Sequence, residues 1–501
     1  MIRAVQTIFV ILLCAGALRA ETGASLADAA EKKDWAKVAE LIKNRADVNA
    51  AQADGMTALH WATYHDDAPT VKRLLEAGAN AKATNRYGVS PLAGACTNGN
   101  AEIVEALLKA GADAKTTLKG GDTVLMAAAR TGRVGSIKAL IARGADVNAV
   151  DRRGQDALMW AAAEGNAEAV RALLAAGANV KARTPAGFTA MLFAARDGRL
   201  EAVRPLLQAK GDPKEVVQAK KAASRGPKNG TSALHLAVEN GHFELAVELV
   251  KAGADPNDQR CGYAPLHMIS WVRKPSRGDD AEGDPPPIGS GRMTSLEFVR
   301  RMVALGADVN LKQKRGVEGR GVLGRPGATP LIAAASTSDV ALVKTLLKLG
   351  ADMKATNADG VTVLLAAAGV GVGAPEEAAG SEPEALEVMA LLVKRGADVN
   401  AVDQNGETAM HGAAYRNHPK SVLLLAEKGA KIGVWNQKNK AGLTPLMIAE
   451  GHRPGLNYRP SPETVAAFHR VMRAAGVTPP ESRPIPDNLV KPAYGAKANA
   501  K

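Results

Sequence analysis

A glycine recurs every 33 residues along this chain, and nothing else in the sequence limits its fold as tightly. Gly55, Gly88, Gly121, Gly154 and Gly187 stand at equal intervals, each opening a run related to Gly-x-Thr-x-Leu-His. Gly230, Gly262, Gly327, Gly360, Gly406 and Gly442 continue the series with uneven gaps. A second marker, Gly-Ala, falls in step with the first at Gly78, Gly111, Gly144, Gly177, Gly253, Gly306, Gly350, Gly396 and Gly429. Gly211 is expected to supply the remaining member of that set. A unit this short cannot bury its own apolar face, so identical units must stack and bury it between them.

Within a unit the pattern predicts two short helices and a turn. Thr57 to Ala62 opens helix A, and Val71, Leu74 and Leu75 form the apolar stripe of helix B at helical spacing. Gly78 ends that helix in the left-handed conformation that glycine adopts without strain. A polar hairpin over 79–87 leads to the next unit. Alanines at 62, 95, 128, 161, 194 and 237 let neighbouring helices approach closely. Composition agrees: AVILMFWYC residues make up 46% of the chain but aromatic residues only 3%, which suits many thin aliphatic layers.

The runs Thr57-Ala58-Leu59-His60, Ser232-Ala233-Leu234-His235, Ala264-Pro265-Leu266-His267 and Thr408-Ala409-Met410-His411 match a Thr-Pro-Leu-His signature. Thr329-Pro330-Leu331 and Thr444-Pro445-Leu446 keep its proline. The chain thereby resembles the ankyrin repeat proteins over about residues 25 to 477. Met126, Met159, Leu192, Ile332 and Leu365 replace the histidine, and Asp66 and Asn417 replace the turn glycine. The resemblance implies an all-α ankyrin-repeat solenoid of about eleven helix-turn-helix units, an N-terminal capping half-repeat and short β-hairpin loops. It also implies that the signature imidazole bonds the threonine hydroxyl and neighbouring backbone.

The ends and interruptions follow from local composition. Residues 1–20 show a basic start, an apolar stretch and small residues before Ala17 or Ala20, the pattern of a secretory signal peptide. The stretch is shorter than the ~20 residues a membrane-spanning helix needs. The expectation is export to the periplasm or beyond, in the manner of bacterial members. A capping repeat is expected over 21–53, the array over 54–454 and a capping helix over 455–476, opened by Ser461-Pro462. The basic, proline-rich segment 477–501 is expected to be a disordered tail. Insertions at 212–229, 274–294, 311–326 and 369–382 break the register, and loops this long are functional or disordered.

Enzymatic chemistry finds no foothold in the sequence. There is no Cys-x-x-Cys, His-Glu-x-x-His or Gly-x-Ser-x-Gly run, and no Gly-Lys pair for a phosphate loop. Gly369 to Gly373 alternates glycine and valine but follows a helix, so an insertion is expected there and not a dinucleotide turn. Arg277-Gly278-Asp279 and the acidic residues 279–284 read as a solvated loop. Cys14 leaves with the signal peptide. Cys96 and Cys261 lie five repeats apart, roughly 50 Å at about 10 Å per layer, far beyond the ~7 Å of a disulfide. Cys96 is expected in the core and Cys261 as an exposed thiol in a turn. No catalytic residue, metal or cofactor is assigned.

The remaining reading is a binding surface. Formal net charge is +13, most of it in the hairpins between layers, which favours an acidic partner. The helix A positions beside each turn are expected to face a concave groove, and there the scarce aromatic and arginine residues collect. Tyr64, Arg130, Arg196, Trp271, Tyr415 and Arg416 are the expected anchors, residue types that dominate binding energy. Lys314, Arg315 and Arg320 in the 311–326 insertion add cations. Trp61, Trp160 and Phe193, one position after the signature histidine, are expected in the core. The function expected is a non-enzymatic protein-binding scaffold, a monomer with no nucleic-acid partner and no membrane span. The alternative is an electrostatic binder of anionic cell-envelope polymers, whose binding would collapse with salt.

Overall fold

A computed structural model describes residues 25–220, 227–275, 285–315, 326–373, 375, 378–452 and 460–481. Among them lie twenty-five helices and, in the loops, isolated bridges such as Ala51 with Thr57 and Thr117 with Thr123. The expected hairpins are therefore turns closed by single bridges at most. Helices α1 (Ser25–Glu31) and α2 (Trp35–Lys43) precede the first layer. Layers one to four are α3 (Ala58–Tyr64) with α4 (Ala68–Glu76), α5 (Pro91–Asn98) with α6 (Ala101–Lys109), α7 (Val124–Thr131) with α8 (Val134–Ala142), and α9 (Ala157–Glu164) with α10 (Ala167–Ala175). Layers five to eight are α11 (Ala190–Arg196) with α12 (Leu200–Gln208), α13 (Ala233–Glu239) with α14 (Phe243–Lys251), α15 (Pro265–Arg273) with α16 (Ser295–Ala304), and α17 (Pro330–Ser336) with α18 (Val340–Lys348). Layers nine and ten are α19 (Val363–Ala368) with α20 (Glu382–Lys394) and α21 (Ala409–Tyr415) with α22 (Pro419–Glu427). A short α23 (Ile432–Trp435) precedes layer eleven, α24 (Pro445–Ala449) with α25 (Pro462–Ala474).

The chain forms two compact units whose division falls within α9 and α10. Each unit is held by the same local chemistry. Thr57, Ser90, Thr123 and Thr329 cap their A helices by accepting the backbone N–H three residues on, and Asp67, Asn100 and Asp339 do so for B helices. Such caps contribute ~1 kcal/mol each. Leu59, Leu74, Leu107, Leu140, Ala62, Ala95 and Ala128 are buried in the first unit, aliphatic layer on aliphatic layer. Loop asparagines tie one layer to the next: Asn49 donates to Gly78 O at 3.2 Å and accepts Asn80 N–H at 2.7 Å. Asn310 repeats the pair with Gly350 and Asp352, and Asn400 with Gly429 and Lys431.

The turn slots correct one expectation. Asp66 and Asn417 do stand in for glycine, at φ 60° and 56°. At the end of α12, however, Lys210 takes the left-handed slot at φ 63°, and Gly211 follows it. Gly211 serves space instead: a Cβ there would stand 2.7 Å from Leu206 O.

Two insertions fold back on earlier layers of the second unit. In the strap 285–294, Ser290 N–H donates to His242 Nδ1 at 2.8 Å, and Ser290 Oγ lies 3.0 Å from both His242 Nδ1 and Gly198 O. Arg292 N–H donates to Glu244 at 2.8 Å. The other, 369–382, begins at Gly369, the left-handed C-cap of α19, as expected of a run that follows a helix. Its Gly380 packs against the turn after α17, where a Cβ would meet Thr337 O at 2.6 Å. Residues 1–20, the tripeptide at 277–279, Arg320 and 482–501 lie outside the described residues.

Candidate partner-binding surface

Four signature histidines are committed to structure. His60 Nδ1 stands 2.8 Å from Thr57 Oγ1, and its Nε2 reaches Val89 O of the next layer at 3.1 Å. His235 repeats this with Ser232 and Tyr263, and His267 bonds Leu311 O and Ala328 O. His411 Nδ1 accepts Thr408 N–H at 3.1 Å. Burial holds all four below the ordinary imidazole range, His267 and His411 at about 4. Where Met126, Leu192 or Ile332 fills the slot, the side chain is equally buried.

The surroundings of Cys96 and Cys261 disfavour their thiolates. Burial pushes the Cys96 thiol up to about 12, as a core residue requires. Cys261 is not the exposed thiol expected: it is half-buried, its Sγ lies 3.4 Å from Tyr263 O, and burial raises it to about 11.

In the first unit the expected anchors meet solvent. Tyr64 is 51% exposed and packs edge-on to Trp61, centroids 5.7 Å apart. Trp61 stacks on His65 and donates Nε1–H to Gln52 at 2.7 Å, while His65 also meets Trp35 edge-on. Arg130 is exposed, its guanidinium 5.9 Å from the Trp160 ring centre. Trp61 and Trp160 are only half-buried, against the expectation of core positions. Phe193 is buried as expected.

The second unit differs. Arg196 is half-buried over Phe193 and Phe188 and bidentate to Asp197 at 2.7 and 2.9 Å. Trp271, 7% exposed, packs edge-on against Tyr263. Tyr415, 6% exposed, donates its hydroxyl to Glu407 at 2.8 Å and accepts from Asn439. Arg416, 4% exposed, donates to Ala379 O at 3.0 Å and to Ser336 O. These three are not the groove-facing anchors expected: the chain's own loops cover them, and the Arg416 guanidinium satisfies carbonyls that α17 and the 369–382 insertion leave open. Lys314 and Arg315 are exposed, their backbone N–H groups both held by Gly262 O.

A set of residues not singled out from the sequence completes the first unit's surface. Arg86, Lys119 and Arg152 are exposed, each two positions before its layer's glycine. Arg86 donates to Ala53 O at 2.7 Å, Lys119 Nζ lies 3.5 Å from Arg86 O, and Arg152 lies across Gly121. Tyr87 beside Arg86 is 59% exposed. The 33-residue register itself carried this signal.

Comparison with known proteins agrees with the fold. Models of ankyrin repeats in three copies match residues 26–117, 94–184, 125–216, 176–260 and 377–458, and a single ankyrin repeat matches 327–358. The chain belongs to the ankyrin repeat family. Repeats of this family mediate protein–protein interaction and are typically non-enzymatic. The chain is similar to the neurogenic locus notch homolog protein 1 of Mus musculus, 35% identical over 161 residues, which is 32% of this chain and 5% of that protein. It is also similar to the phosphocholine transferase AnkX of Legionella pneumophila, 28% identical over 210 residues, 41% of this chain and 20% of that protein. A third relative is the ankyrin repeat, SAM and basic leucine zipper domain-containing protein 1 of Dasypus novemcinctus, 36% identical over 107 residues, 21% of each chain. The chain thus spans about a fifth of these relatives' length or less. Among the described residues no helix is long and apolar enough to cross a membrane.

Proposed function

We propose that this protein is a non-enzymatic scaffold that binds an acidic protein through the hairpin tips and helix A ends of its first unit. The observation that carries the reading is the coincidence there of exposed cations (Arg86, Lys119, Arg130, Arg152) with exposed tyrosines (Tyr64, Tyr87). Arginine and tyrosine anchor interfaces, and a basic surface speeds the approach of an acidic one. The scaffold works as a monomer in the periplasm or outside the cell, a location supported by the signal-peptide pattern of residues 1–20.

Affinity capture from envelope extract tests this, with the parent and a Tyr64→Ala/Tyr87→Ala variant as baits. A discrete acidic protein held by the parent at near-physiological salt and lost by the variant is the expected result. Anionic polymer captured by both baits and stripped from both by salt would sink it and favour the electrostatic alternative. Amino-terminal sequencing of the secreted chain tests the location: it should begin at Leu18 or Glu21.

A further inference from the structure

Arg86, Lys119 and Arg152 form a ladder with one rung per layer. Each rung rests on the hairpin before it: Arg86 N–H on Asp54 O at 2.8 Å, Lys119 Nζ on Arg86 O, and Arg152 over Gly121, where a Cβ would meet its Cγ at 3.2 Å. Among the described residues no carboxylate pairs with any of the three, and the nearby Asp54 is turned to Met56 N–H at 3.0 Å. Tyr87, at the first rung, is held by an Asx turn in which its N–H donates to Asn85 at 3.0 Å.

The spacing of the rungs decides what fits them. Packed helical layers stand about 8–10 Å apart. A polyproline II segment turns once in three residues and advances ~9.3 Å, so every third side chain points the same way at nearly that interval. A β-strand returns to one face every ~6.7 Å, and its third residue faces away. Proline-rich segments also stack on exposed aromatic rings, and Tyr87 beside Arg86 supplies one.

From this register we infer that the ladder takes an acidic, proline-rich segment in the polyproline II conformation, with a carboxylate at every third residue. This rests on the acidic-partner reading above and narrows it. A carboxylate on each rung forms a charge-assisted pair, and a proline lies against Tyr87 with little ordering cost.

The test uses the full chain and two fluorescent peptides of the same composition: a repeated Glu-Pro-Pro of about twelve residues, and one with its glutamates contiguous. Anisotropy titrations at low salt should show the repeated peptide binding about tenfold tighter. Arg86→Ala/Lys119→Ala/Arg152→Ala should lose about tenfold or more for it. Lys354→Ala/Lys431→Ala/Lys440→Ala, an equal change in charge at exposed sites of the second unit, should hold the parent's affinity. Circular dichroism checks that both variants fold. Equal binding of the two peptides overturns the spacing and leaves the acidic-partner reading standing. Equal loss in the two variants overturns the ladder as the site. Failure of both peptides to bind overturns the inference together with the reading beneath it.

Discussion

Acidification from about pH 7.5 to about 4.5 should destabilise this protein through its buried histidines, and His267 and His411 set the size of the effect. His267 accepts Ala264 N–H on Nδ1 at 3.2 Å and directs Nε2 to two carbonyls, so a second ring proton would face a donor in a dry site. Its folded pKa, like that of His411, is about 4 against 6.5 for the free side chain. Between those values the unfolded chain binds the proton and the folded chain does not. Stability is therefore complete above pH 6.5 and lost as pH falls toward 4. For a shift of that size the loss by pH 4.5 is about 2.5 kcal/mol per histidine. His60 and His235 are displaced the same way. Asp156, Asp403 and Glu407, raised by burial, work in the opposite sense, so the parent's total slope is a difference of terms. Substitution isolates the histidine part. Leu192 and Leu365 occupy the same slot elsewhere and are fully buried, so His267→Leu and His411→Leu fit the fold. At neutral pH each should cost ~1–2 kcal/mol in lost hydrogen bonds. Urea unfolding of parent and double variant at both pH values is the assay. The variant should be less stable near neutrality yet lose about 5 kcal/mol less on acidification. An unchanged loss in the variant would refute the reasoning.

Three further outcomes follow from particular contacts. Lys210→Gly should stabilise the fold by up to about 1 kcal/mol, since a non-glycine residue is strained at φ 63°; a lower midpoint in urea would contradict this. Gly289→Ala should release the strap, because its Cβ would stand 1.8 Å from Gly241 O; limited trypsin digestion should cut faster after Arg292 than in the parent. Cys96 and Cys261, held at about 12 and 11, should react with a disulfide reagent at mildly alkaline pH far more slowly in the native chain than in urea.

The repeat was legible because its determinants act over a few residues. Thr57 caps α3, Gly78 at φ 90° ends the turn after α4, and His60 closes on Thr57 within one helical turn. Even Lys210 obeys the count, 33 residues after Gly177, in the left-handed slot beside a glycine that does not take it. The rungs Arg86, Lys119 and Arg152 were written in the same register but pass unnoticed when only the helix A ends are searched for anchors.

The sequence by itself determined the unit, its number and its apolar faces, since local capping, left-handed turns and helical spacing leave a chain of this kind one way to bury its alanines and leucines. Only the tertiary structure decided which conspicuous residues remain available. Tyr64 and Trp271 are equivalent in the repeat, yet one is exposed and the other buried. Arg130 lies open over Trp160, whereas Arg416 is covered by carbonyls from α17 and from a loop 37 residues before it. The burial of Arg416 depends on where the 369–382 insertion folds back, and an insertion lies outside the register that made the rest readable.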